Sequence, residues 1–108
     1  TETYDATSWT EVNNLNSGKI EGGASSYGTT TAFLAFGSEI SPNVATEKYD
    51  GSSWTEVGDL ATARTLARGA GTNTAAICAG GALVPGPLTA ETEEWNDPVY
   101  TIKTVTVS

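Results

Sequence analysis

Short apolar runs, separated by Gly, Asn and Asp breaks, fill the chain. Residues 32–36 form one run, closed by Gly37. Residues 45–49 form the next, and Asp50-Gly51 then gives a tight-turn signal ahead of residues 54–57. The order recurs over residues 67–71, a turn at Thr72-Asn73, residues 75–79, a loop over 80–88, and residues 91–95. A run over 24–27 with a turn at Gly28 precedes the first set, and a β-branched stretch over 99–107 follows the last. Runs this short, rich in Thr, Val and aromatic residues, predict strands. The best helical candidate, residues 60–68, fails because its counterpart earlier in the chain carries Gly18, Gly22 and Gly23.

The runs belong to a repeat. Thr1-Glu2-Thr3-Tyr4-Asp5 returns 45 residues on as Thr46-Glu47-Lys48-Tyr49-Asp50, and 46 further as Thr92-Glu93-Glu94-Trp95-Asn96. Trp9 matches Trp54 at 45, and Tyr100 takes the tryptophan's place 46 later. Residues 31–37 align with 75–81 at 44. A period of this size indicates a propeller or a solenoid. Four short strands per period indicate blades of a β-propeller. The 108 residues then divide into a partial repeat (1–12), a full repeat (13–57) and a full or terminal repeat (58–108), about 2.4 repeats with ten strands. The Tyr and Trp of each unit lie across its tight turn and can pack one blade on the next.

A glycine pair after an apolar strand (Gly80, Gly81), an acid-x-Tyr-Asp (Glu47, Tyr49, Asp50) and a following Trp54 together resemble the kelch motif. The chain departs from it at Phe36-Gly37, which stands for the first glycine pair, and at Trp95 with Tyr100, which stand for the third aromatic pair. The wording of residues 47–55, followed by Thr-Ala-Arg, is similar to kelch-like arrays in bacteriophage and environmental virus proteins, among them tail and fibre components. The resemblance implies an all-β fold of kelch-like propeller blades, each of four antiparallel strands. It assigns structural roles to Tyr4, Trp9, Gly37, Tyr49, Asp50, Trp54, Gly80, Gly81, Trp95 and Tyr100. It implies a non-enzymatic structural or adhesion module of a virion or other extracellular assembly, binding glycan or protein. The alternative it leaves open is a cytoplasmic protein-interaction propeller.

Charge narrows the partners. Thirteen acidic residues against five basic ones give −8, which disfavours a phosphate backbone or an anionic membrane surface. No apolar run approaches the roughly 18 residues of a membrane span. With no His, general acid/base catalysis and metal ligation lose their commonest group. Any copper chemistry of the kind kelch-like oxidases perform needs ligands from elsewhere. Cys78 sits in an apolar run and reads as a small hydrophobe. Glu93 and Glu94 are adjacent on a strand, so they point to opposite faces and cannot act as a dyad. Glu2, Glu47 and Glu93 recur with the repeat, which suits a structural task such as accepting backbone N–H bonds. No catalytic residue, metal site or cofactor is expected.

The repeats differ most in two loops, 38–44 and 82–90, so candidate partner residues are sought there: Glu39 and Asn43 in one, Leu83, Val84, Pro85 and Leu88 in the other. Arg64 is a further candidate for a ligand carboxylate, with an ion pair between blades the favoured reading. A propeller needs about 4 to 8 blades. Closure therefore calls for blades upstream of Thr1 or for several copies assembling, so the expected protein partner is one of these. The absence of any Met favours the first.

Overall fold

The computed structural model describes residues 1–25, Thr29 and residues 31–97. These are all-β and antiparallel, with no helix among them. The expected strand over 99–107, with Tyr100, lies outside the described residues, as does half of the expected 24–27 strand.

Strands β1 (Glu2–Tyr4) and β2 (Trp9–Glu11) form a hairpin in which Tyr4 pairs with Trp9. A lead-in loop then enters a four-stranded meander of β3 (Gly23–Ala24), β4 (Phe33–Phe36), β5 (Thr46–Tyr49) and β6 (Trp54–Val57), paired in chain order. A second lead-in loop holds β7 (Arg64–Thr65). It enters a sheet of β8 (Arg68–Gly71), β9 (Ala75–Ala79) and β11 (Thr92–Asn96), while β10 (Ala82–Leu83) pairs with β7.

The period-2 pattern decides which side chains are shared between sheets. Along β9 the exposed Ala75, Ile77 and Ala79 alternate with the buried Ala76 and Cys78. The buried set meets Leu34 and Phe36 of β4 and Ala67 of the second lead-in loop, and Val57, Leu60 and Trp95 close the cluster. The core is thus a layer between the two larger sheets. Backbones come closest where β3 faces β8. A methyl on Gly69 would overlap the Ala24 carbonyl oxygen and lie 2.6 Å from the Phe36 ring. This crowding falls on the first strand of each unit, at Gly23 of β3 and Gly69 of β8.

The turns are equally repetitive. The Asp5 carboxylate accepts from the N–H groups of Thr7 and Ser8, and that of Asp50 from those of Ser52 and Ser53. These donors hold the Asp50 carboxyl down at about 2, the Ser53 N–H contributing most. Gly51 takes the left-handed conformation that the Asp-Gly turn requires.

The ladders correct one alignment. Phe33 pairs with Tyr49 and Ala76 with Trp95, so β4 and β9 correspond at an offset of 43 rather than 44. Gly37 and Gly80 then occupy one position, with φ of 67° and 65°. The counterpart of the Gly80-Gly81 pair is therefore Gly37-Ser38, not Phe36-Gly37. Ser38 is fully buried, and its hydroxyl accepts from the N–H groups of Ile20 and Ile40.

Two outcomes test this packing. Gly69→Ala is expected to lower stability in a denaturant titration by about 2–3 kcal/mol, because neither the Ala24 backbone nor the Phe36 ring has room to yield. Asp50 has a folded pKa below its ordinary 3.8, so its contribution is present above that value and is lost as pH falls towards about 2. NMR is expected to show the Asp50 carboxyl and the Ser52 and Ser53 amides titrating together near the lower value.

Candidate functional site

The ends of the sheets opposite the Asp turns gather every long loop. The Glu39 N–H donates to the Ile20 carbonyl, the Ser38 N–H to Arg64, the Leu66 N–H to Glu21, and the Val84 N–H to Ala63. Both lead-in loops and both candidate loops, 38–44 and 82–90, are thereby woven into one surface.

Beneath it lies a repeated lock. Glu47, buried on β5, accepts from the backbone N–H of Asn16 at 2.6 Å and of Ser17 at 3.3 Å, and from the Ser17 hydroxyl. One repeat later, Glu93 on β11 accepts from the Ala61 N–H at 2.6 Å. The acceptor role expected of Glu2, Glu47 and Glu93 holds for the last two, with lead-in loops rather than neighbouring strands as donors; the exposed Glu2 makes no such bond among the described residues. A cation completes each lock. Lys19 Nζ donates to the Ala45 carbonyl at 2.9 Å, and burial pulls its pKa below the usual lysine range. The corresponding Arg64 donates to the Gly80 and Glu91 carbonyls and to the Glu93 carboxylate at 2.7 Å. The Glu91 carboxylate stands 3.6 Å away.

The sequence-picked residues divide accordingly. Arg64 has no exposed surface and is engaged by Glu93, so it offers nothing to an external carboxylate. Asn43 turns its amide inward to the Ser38 and Glu39 carbonyls. Leu83 is part of the β10–β7 ladder and half-buried, as is Val84. Glu39, Pro85 and Leu88 remain exposed, Leu88 at 80%.

Leu88 has company that sequence reading missed. Ile20, Ile40 and Leu66 are all large apolar residues roughly half-exposed at this end. The available signal was a large apolar residue in each of three segments between strands, among other small and apolar residues that made it inconspicuous. Leu66 also sits at φ 57°, as does Glu21 at φ 53° one repeat earlier. The exposed acids Glu21, Glu39 and Glu91 lie in the same loops.

Burial pushes the Cys78 thiol up, away from the reactive thiolate. Among the described residues no group of three or more metal-ligating acids and thiols comes together. Among the described residues no helix is long and apolar enough to cross a membrane. Comparison with protein-family models and with curated proteins gives no match.

The lock predicts an asymmetric mutational response. Glu93→Ala takes the close carboxylate from a buried guanidinium, leaving only Glu91 at 3.6 Å, and is expected to cost about 3 kcal/mol in equilibrium unfolding. Adding Arg64→Met removes the stranded charge, so the double variant is expected to recover much of that loss.

Proposed function

We propose that the chain is a run of kelch-like propeller blades acting as a non-enzymatic adhesion or assembly module of a virion or other extracellular structure. The blade reading is supported by the four-strand antiparallel meander and by a second sheet that repeats its order. It is supported further by carboxylate locks at equivalent positions, Glu47 and Glu93, each tying a sheet to its own lead-in loop.

The observation that carries the binding role is the exposed apolar set at the loop end. The buried polar groups serve the scaffold, while Ile20, Ile40, Leu66 and Leu88 face outward among Glu21, Glu39 and Glu91. Apolar loop residues on a rigid framework mark a contact surface. An acidic border selects a partner protein with complementary basic residues around an apolar centre.

Fractionation tests the reading. The chain is expected in purified particles or on the outer surface of cells, detected by antibody. Recovery only as a soluble intracellular species would overturn it. The surface is tested by Leu66→Gly combined with Leu88→Ser. Glycine relieves a left-handed residue at a saving of about 1 kcal/mol, so thermal stability is expected to hold while particle association falls.

A further inference from the structure

Far from the loop end, the β1–β2 hairpin and the meander leave a crevice of about 440 Å³ between them. Two tilted aromatic pairs line it. Tyr4 and Trp9 have ring centroids 5.2 Å apart, and Tyr49 and Trp54 5.0 Å apart. Phe33 adds a fifth ring. The volume lies within the range of about 300–1,000 Å³ typical of small-molecule sites.

The pairs differ in one respect that matters. Tyr49 is buried and the Trp54 indole N–H is already bonded to the Asn13 carbonyl at 3.1 Å, so that wall is fixed. Trp9 and Tyr4 are 65% and 50% exposed, so the opposite wall offers open ring faces. Around the rings stand the hydroxyl-bearing residues Thr1, Thr3 and Thr29. Glu2 is the one charged side chain among the described lining residues.

We propose that this crevice binds a neutral oligosaccharide, the aromatic faces stacking on pyranose C–H surfaces and the threonine hydroxyls bonding sugar hydroxyls. The inference deepens the adhesion reading and rests on it. Glu2 disfavours an acidic sugar, and no Lys or Arg side chain stands among the described lining residues. The polar complement fits a sugar better than a proline-rich peptide. The threonine hydroxyls both donate and accept, which matches sugar hydroxyls on both counts, whereas a proline-rich peptide offers mainly carbonyl acceptors. An aromatic cage for a small cation would enclose it closely, and this crevice is wider than one such ion requires.

The test titrates the chain with cellotetraose, maltotetraose and mannotetraose, reading tryptophan fluorescence and saturation-transfer NMR. Sialyllactose, decaproline and choline serve as counter-probes. A saturable response to at least one neutral tetrasaccharide is expected, with Kd on the order of 1 mM. Trp9→Ala, at an exposed position, is expected to weaken it about tenfold or more, with an unchanged thermal transition, and Trp9→Phe to restore most of it. Binding of none of the three tetrasaccharides, binding confined to a counter-probe, or binding indifferent to Trp9→Ala overturns the assignment. Particle association without sugar binding would remove the crevice assignment and leave the adhesion reading standing. Sugar binding by a purely intracellular protein would do the reverse.

Discussion

A carboxylate on β5 and its counterpart on β11, each held against the backbone of the loop that leads into its sheet, is the contact on which the rest of the structure depends. Short strands with small side chains bury little apolar surface, so the sheets need a directional tie. Glu47 supplies it by reaching 30 residues back along the chain to Ser17 and 31 to Asn16. The same loop is stitched again from the far side. Asn16 donates its amide to the Trp54 carbonyl, Asn13 donates to Ser52, and Trp54 returns a bond to Asn13. An ionised acceptor makes stronger bonds than a neutral one, and a partly dry setting raises the penalty for losing them. The lock therefore fixes where each loop lies, and through it where one sheet meets the next.

The second repeat keeps the lock but changes its parts. Ala61 replaces Asn16 and cannot make the amide bond, while Arg64 replaces Lys19. The guanidinium fork reaches two carbonyls and a carboxylate where the ammonium reached one carbonyl. Its Nε is left without a partner in the dry interior, so the exchange is not free. A loop stitch lost on one side has been replaced by a buried ion pair on the other.

Most strands were legible because their signals are local. Two apolar runs, the repeated Tyr/Trp segments and the breaks at Gly37, Asp50-Gly51 and Thr72-Asn73 locate β4, β5, β6, β8, β9 and β11 to within a residue or so at each end. The β7–β10 pair was not legible, since two residues against two carry no period. The 43-residue offset was hidden for a related reason: Ser38 does the work of Gly81, and matching glycines by eye shifts the alignment by one. Arg64 illustrates a different limit. An arginine in a Thr-Ala-Arg loop reads as exposed until the fold places Glu93 against it. The loop-end surface was half legible, through Leu83–Leu88, because several apolar residues there were adjacent in sequence. Ile20, Ile40 and Leu66 come together only through the backbone bonds between loops.

Leu66 separates what the fold demands from what the surface adds. The left-handed backbone at that position is structural, since Glu21 adopts it one repeat earlier. In both repeats the local chain is held by neighbouring bonds: the Leu66 N–H and the Thr65 hydroxyl both donate to the Glu21 carbonyl. A glutamate satisfies that geometry, and a glycine would satisfy it with less strain. Nothing in the packing asks for a half-exposed leucine there, and solubility argues against one beside Leu88. The scaffold fixes the shape of the loop, and the apolar side chain carried on it is free of that constraint. On the proposed reading its presence is explained by a partner at the loop end, not by what the loop needs in order to fold.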